Sequence, residues 1–367
     1  MKNEMLVLGL GQAGGNMVED LYNKGFNVIA INTAIDDLDS LDIEKEFKFH
    51  IKNATGTAKN RVLSKQLAKS VANQIVEIIN EKYTSMKYIH IISSLGGGTG
   101  GGSIAAVSSM LQSVFTDKYI SVSAILPSSC ENIRLKNNSL EAFTELAAIQ
   151  NKIGPFFILS NEKVEKFRVN KMHAEVLDDL VNLRSSNKKG SLDSKELEEI
   201  MTSKAIILPY LIKETEQENK PVLVDCYAEI KGNAKLTALS LSKNYRQEEI
   251  NSFETFRGIN ISSVAAREDD KNYAFYCSLD FNDSAIKTIY DKLKSEIEIM
   301  KQQSDTNKNL EIETFDLSLS STNLNVISNK TNIIDDEIHL IDEEDERKRL
   351  NTREKRKIEI NLDDFFK

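Results

Sequence analysis

Two glycine-rich stretches carry the residue types in this chain best suited to chemistry. Gly9-Leu10-Gly11-Gln12-Ala13-Gly14-Gly15-Asn16 follows the apolar run Met5-Leu6-Val7-Leu8. Gly96-Gly97-Gly98-Thr99-Gly100-Gly101-Gly102-Ser103 follows Tyr88-Ile89-His90-Ile91-Ile92. Glycine permits positive φ and lets backbone approach a ligand closely. A helix start then adds unpaired N–H groups and a partial positive charge. Two such loops at the ends of two strands of one sheet would hold one nucleotide from two sides, without a lysine. A bare turn would not use so many glycines, because each costs backbone entropy on folding.

Other chemistries fit less well. Gly9-x-Gly11-x-x-Gly14 after a strand matches a dinucleotide-binding fingerprint. That reading wants an Asp or Glu near the end of the second strand to hold a ribose hydroxyl, and Asn32-Thr33 stands there instead. A NAD-dependent oxidoreductase is therefore an alternative in which the second glycine loop has no role. The four histidines (His50, His90, His173, His339) form no H-E-x-x-H, and Cys130, Cys226 and Cys277 form no C-x-x-C. No protein-bound metal is expected, and the thiols read as buried or inert in a reducing cytosol. Several residues have ordinary readings too: Asp193 and Glu196 as helix starters, Asn161 as a turn residue, Lys59 and Arg61 as solvated helix-face charges, and His90 as a satisfied core residue.

The elements that must position these loops alternate strand and helix. Strand Glu4–Gly9 leads to a helix from about Gly14 to Lys24, closed by Gly25, and then strand Asn27–Asn32. A long helix is expected near Thr57–Tyr83, with Leu63, Leu67, Val71 and Ile75 as its buried stripe. Strand Tyr88–Ser93, helix Ser103–Phe115, strand Tyr119–Leu126, helix Leu140–Lys152 and strand Phe156–Ser160 follow. This is the pattern of an α/β fold with a doubly wound, mostly parallel sheet, whose ligands bind beyond the carboxyl ends of the strands. A helical stretch, Glu162 to about Leu183, would link this part to a smaller mixed α+β domain. That domain holds a short helix at Ser194–Met201, strands Ala205–Leu211, Val222–Ile230, Ile259–Ala265 and Tyr273–Leu279, and helix Ser284–Met300. The expected division is 1–161, 162–187, 188–303 and a charged tail, 304–367, partly disordered or helical. In the tail, Asp335–Glu346 is acidic and Arg347–Lys357 basic.

Composition narrows the classes. The 367 residues are 40% hydrophobic and 28% charged, which suits a globular protein large enough for two cores. A formal charge of −9 argues against binding nucleic acid over the whole chain. No h-region or long apolar run suggests a signal peptide or membrane span, so a cytoplasmic protein is expected.

Taken in order, these segments resemble the tubulin/FtsZ superfamily, and within it the plasmid- and phage-borne TubZ proteins. Gly11-Gln12-Ala13-Gly14-Gly15-Asn16 is similar to the first nucleotide loop of tubulins, and Asn32-Thr33 to the second. Gly96-Gly97-Gly98-Thr99-Gly100-Gly101-Gly102 is similar to the tubulin signature GGGTG(S/T)G. Asn161-Glu162 resembles the loop whose Asn reads guanine, and Ser191-Leu192-Asp193-Ser194-Lys195-Glu196 the synergy loop. The resemblance covers about residues 1–300.

It implies GTP and GDP as ligands, with Mg2+ held mainly by the phosphates. Gly11, Gln12, Ala13, Asn16, Gly96, Gly97, Gly98, Thr99, Gly100 and Gly101 would hold phosphates or base, and Gly56 and Thr57 would cover the γ-phosphate. Glu131 and Arg134 would lie at ribose and phosphate, and Phe167 and Asn170 at guanine. Asp193 and Glu196 would act in trans from the neighbouring subunit of a head-to-tail filament, polarising the hydrolytic water. A DNA-bound adaptor protein would bind the tail, with no direct DNA contact and no membrane. An FtsZ-type division protein is the alternative within the superfamily, although Ile358–Lys367 poorly matches its apolar terminal peptide.

Overall fold

A computed structural model describes residues 1–52, 54–183, 194–214, 219–230, 236–242, 261–267, 271–280, 283–314 and 361–366. Among the described residues eleven strands form one sheet: β1 (Met5–Leu10), β2 (Asn27–Asn32), β3 (Lys48–His50), β4 (Tyr88–Ser94), β5 (Tyr119–Leu126), β6 (Phe156–Ser160), β7 (Ala205–Glu214), β8 (Asn219–Leu223), β9 (Leu236–Ser242), β10 (Ile261–Arg267) and β11 (Tyr273–Asp280). The helices are α1 (Gly11–Tyr22), α2 (Ile35–Asp39), α3 (Arg61–Lys82), α4 (Thr99–Val114), α5 (Ile133–Ala148), α6 (Lys166–Val181), α7 (Ser194–Thr202) and α8 (Asp283–Thr314). One compact unit is Met1–Gln302 with Ile360–Lys367; the other is Gln303–Glu359.

Sheet order is β10-β9-β11-β7-β6-β5-β4-β1-β2-β3, with β8 beside β7. From β3 through β7 every pairing is parallel, while β11 runs antiparallel to both β7 and β9. The expected doubly wound, mostly parallel sheet with a smaller mixed part is the fold observed. β1, β4 and β6 are buried along nearly their whole length, as strands covered on both faces must be. Alternation sorts their side chains. Leu6, Leu8 and Leu10 join the core under α3, α4 and α5, and Met5 and Val7 the core under α1, α6 and α7.

β1 lies between β2 and β4. Chain order reverses there, and such a switch point opens a crevice at the carboxyl ends of the strands. Both glycine loops leave the sheet at this place, from β1 and from β4.

Several elements differ from the sequence expectation. α1 and α4 begin at Gly11 and Thr99, inside the glycine loops, so much of each loop is a helix's first turn. α3 begins at Arg61, where the Asn60 side chain accepts the Leu63 N–H. Its buried face is Ala68, Val71, Ala72, Ile75, Val76 and Ile79, while Leu63 is exposed. A strict four-residue repeat drifts about 40° per step around a helix of 3.6 residues per turn, so the expected stripe leaves the core at one end. α5 starts at Ile133, capped by Asn132. Val222–Ile230 is not one strand. After β8 the chain crosses to β6, where Ser160 N–H donates to the Cys226 carbonyl and Ala228 N–H to the Ile158 carbonyl, both at 2.9 Å. The short elements α2 and β3, and strand β9, carry no separate expectation.

Candidate functional site

The two glycine loops meet. Gly11 has φ +71°, and a Cβ there would stand 3.1 Å from Gly100 N. At Gly100 a Cβ would fall 1.8 Å from Ser93 Oγ and 2.5 Å from the Leu10 carbonyl oxygen, so only glycine lets α4 start between the ends of β1 and β4. Gly101 is closed by the Leu95 carbonyl oxygen at 2.1 Å, and Gly102 by Ser64 and Arg61 of α3. Gly97 is different: its Cβ would have 3.7 Å to the nearest atom, Ser94 O. The glycines thus divide between those that seat α4 and those that leave room in front of it.

That room is a cleft of about 510 Å³. Gly11, Gln12, Ala13 and Asn16 of α1 line it, with Asn32 and Thr33 after β2, Gly56 and Thr57, and Gly97, Gly98, Thr99 and Gly100. Glu131, Asn161, Phe167 and Asn170 complete its other end. Gly96 does not line it, since that glycine packs on Leu135 of α5. Gly101 is likewise absent from the lining, and Arg134, exposed in the first turn of α5 between the lining residues Glu131 and Leu135, is not itself among them. Glu196 lies in the first turn of α7, also outside the cleft, and Asp193 lies outside the described residues.

Sequence reading missed other lining residues, Asp37, Ser93, Ser94 and Lys166, while Lys59 of the expected 54–59 covering loop also lines the cleft. Asp37 Oδ2 accepts from Asn32 Nδ2 at 2.9 Å, and Asn32 Oδ1 accepts the Thr33 N–H at 2.8 Å. The Thr33 and Thr99 hydroxyls are 2.7 Å apart and tie the second strand's end to the signature loop. Lys59 follows Ala58 in a left-handed pair (φ +63° and +45°), conformations uncommon for residues with a Cβ. This turn brings the 56–59 loop over Gly98, whose Cβ would overlap Thr57 Oγ1.

Arg61 is not a solvated helix charge. It is 6% exposed, donates to the Gly101 carbonyl, and pairs with Glu141 at 3.0 Å and Glu145 at 2.8 Å on α5. At the opposite end Glu131 pairs with Lys166. Glu162 accepts from Ser129 N at 2.8 Å and Ser129 Oγ at 2.5 Å. Burial raises its pKa, but these hydrogen bonds, with Lys292 and Lys136, outweigh it and hold the carboxyl below its ordinary value. Phe167 is 71% exposed, a large aromatic face bare at the cleft rim, while Asn170, one turn on, is 5% exposed.

In chemical terms the cleft offers backbone N–H groups and hydroxyls at one end and an aromatic face with amides at the other. That polarity suits a phosphate chain joined to a planar base. Among the described residues no group of three or more His, Cys, Asp or Glu gathers to hold a metal ion, and no helix is long and apolar enough to cross a membrane.

Comparison with known proteins agrees with this geometry. Residues 4–168 match the family "Tubulin/FtsZ family, GTPase domain". The tubulin-like protein TubZ of Clostridium botulinum C phage is 26% identical over 328 residues, covering 85% of this chain and 89% of the relative. The crystal structure of Clostridium botulinum phage c-st TubZ superposes with a TM-score of 0.70 at 22% identity, covering 83% of this chain and all of that one. A GTPγS-form protofilament of Bacillus thuringiensis serovar israelensis TubZ gives 0.69 at 12% identity, covering 86% and 95%. Residues 4–168 thus match a tubulin/FtsZ-family GTPase domain, and over most of its length the chain is similar to phage TubZ.

Proposed function

We propose that the chain binds GTP in the 510 Å³ cleft, assembles head to tail into filaments and hydrolyses GTP at the contact between subunits. The observation that carries the reading is the convergence of both glycine loops, at the sheet's switch point, on one cleft whose far end presents Phe167 and Asn170. Gly11, Gln12, Ala13, Gly97, Gly98, Thr99 and Gly100 bind phosphates, Gly56 and Thr57 cover the γ-phosphate, and Gly96 and Gly101 support the loop from behind. Asn16 reaches base or phosphate, Glu131 the ribose and Arg134 the phosphates. Asn161 pairs with the amino edge of guanine, which adenine lacks, while Phe167 stacks on the ring and Asn170 hydrogen-bonds to it. Mg2+ is held mainly by the phosphates; the oxygen donors of Asp37, Thr33 and Thr99 suit its hard character.

Asp193 and Glu196 supply the carboxylates in trans. The placement of α7 supports this. Glu198 pairs at 2.9 Å with Lys87, just before β4, while the signature loop follows the other end of that strand. The seven residues of β4 at about 3.3 Å each put roughly 20 Å between α7 and the signature loop. Stacking the amino end of one sheet on the carboxyl end of the next closes that distance. The repeat is heterologous and builds an open filament. The Bacillus thuringiensis relative, described as a protofilament, supports the same arrangement. We further read the filament as moving or positioning plasmid or phage DNA, in the cytoplasm, through a DNA-bound adaptor on the 304–367 tail, with 1–161, 162–187 and 188–303 as the folded parts. Electron microscopy of the protein with GTP, GDP and ATP tests the proposal: filaments are expected with GTP, and filaments formed equally with ATP or with no nucleotide would overturn it.

A further inference from the structure

Ile360–Lys367 belongs to the same compact unit as Met1–Gln302. Asn361–Phe366 forms a single self-capped turn. Asn361 Oδ1 accepts the Asp363 N–H at 3.3 Å, Asn361 Nδ2 donates to Asp364 Oδ2 at 3.1 Å, and the Phe365 and Phe366 N–H groups donate to the Leu362 carbonyl. This puts Leu362, Phe365 and Phe366 at positions i, i+3 and i+4, the spacing of one helix face. All three pack against the apolar core under α3, α4 and α5, while Asn361, Asp363 and Asp364 stay exposed. Asp363 pairs with Lys69 of α3.

We propose that this turn is a releasable latch: a short recognition motif seated in cis on the α3 face of its own GTPase domain. Three observations support a specific seat rather than a stray end. The apolar residues share one face, the Asn361 side chain caps the turn, and a charge pair fixes its register. A partner that reads the Leu362–Phe365–Phe366 face must first lift it from α3, so docking makes that recognition conditional. α3 follows directly from the 56–59 loop, and its Ser64 hydroxyl donates to the Thr99 carbonyl at 2.7 Å, so the latch braces the helix that carries the cleft's cover. The proposal does not depend on which nucleotide the cleft holds, and its failure would leave the GTP reading intact.

The test uses the full chain and a fluorescein-labelled synthetic peptide of residues 358–367, followed by anisotropy. A tethered segment competes at an effective concentration of about 1 mM, so in the wild-type chain the seat is already occupied. The peptide should therefore bind the full-length Phe365→Ser/Phe366→Ser chain at least about tenfold more tightly than the wild type. Adding Lys69→Glu to that chain should weaken binding about two- to fivefold, the range of an exposed ion pair. A peptide carrying Asp363→Lys should recover the loss. A peptide that binds neither chain, binds both equally, or ignores Lys69→Glu would overturn the latch. So would a wild-type dimer in sedimentation that Phe365→Ser/Phe366→Ser abolishes, since the seat would then be filled in trans.

Discussion

Acid should loosen this protein at one identifiable place. A chain of buried polar groups runs from the GTPase sheet to the smaller part of the fold. His90 Nδ1 lies 2.7 Å from Ser121 Oγ, His90 Nε2 2.7 Å from Ser123 Oγ, Ser123 Oγ 2.7 Å from His173 Nε2, and His173 Nδ1 2.6 Å from Tyr227 Oη. Neutral imidazoles satisfy every link, each group donating once along the chain. Both rings are fully buried, and burial pushes the His90 pKa down to about 3. Burial, and then the neighbouring His90, also lower His173 well below its ordinary value. The folded state therefore keeps both rings neutral where the unfolded chain, with pKa about 6.5, takes up two protons. The sign follows: the stabilisation is complete above pH 6.5 and is lost as pH falls from 6.5 towards 3. At pH 5, 1.5 units below 6.5, His90 alone costs about 2 kcal/mol, and His173 adds to the loss in the same direction. That is a large part of a typical stability of about 5–15 kcal/mol. Urea melts at pH 7.5 and 5.0 should show this loss in the wild type, and a His90→Gln/His173→Gln variant should show much less pH dependence. An unchanged wild-type midpoint, or an equal loss in the variant, would refute the reasoning.

The other predictions concern the cleft. Gly97→Ala, with 3.7 Å to its nearest neighbour, should fold with wild-type stability and weaken GTP binding in a filter or fluorescence assay; unchanged affinity would mean no phosphate approaches there. Gly100→Ala should lower stability by about 1–3 kcal/mol or more, because its methyl overlaps β1 and β4 backbone and side chain, and a thermal shift reads this directly. Arg61→Met should cost about 1.5–3 kcal/mol through the lost charged hydrogen bond to Gly101, since Glu141 and Glu145 can both be rehydrated; urea midpoints check it. Glu196→Ala should bind GTP and assemble normally while phosphate release within filaments falls by about 10²–10⁴-fold, with mixed-in Gly98 or Thr99 variants restoring some turnover.

What the sequence made legible was whatever a local pattern encodes. The strands of the parallel sheet are continuous apolar runs, and the glycine loops stand out because few other backbones could pass there. Phe167 and Asn170 could be named only through resemblance, yet the fold brings both to the cleft with Asn161. The misses are contacts between distant segments. Nothing near Arg61 announces that Gly101 and α5 will enclose it. Asp37 and Lys166 belong to short polar stretches whose place is decided by α2 and by the start of α6. The run after Val222 looks like strand by composition, but it pairs instead with the part of β6 beyond that strand's single register position with β7, Phe156 against Ile206. Gly96 and Gly101 are indistinguishable from Gly97 in the motif, and only the packing of α4 against Leu95 and Leu135 separates them.

The parallel sheet also constrains how such a site can be completed. Parallel strands give the domain two unlike ends: glycine loops and helix starts at the carboxyl end, and at the amino end α7, tied to Lys87 by Glu198. A two-fold contact joins a surface patch to itself, so one made at the cleft would set one cleft against another, leaving both without an added carboxylate. On the proposed in-trans reading, joining unlike ends would bring a carboxylate from α7 to the cleft at every contact and would leave a free cleft at one terminus. Each added subunit would then complete the site below it. Hydrolysis would thus be confined to interior contacts, and the terminal subunit would keep its nucleotide intact for as long as growth outpaces the chemistry beneath it.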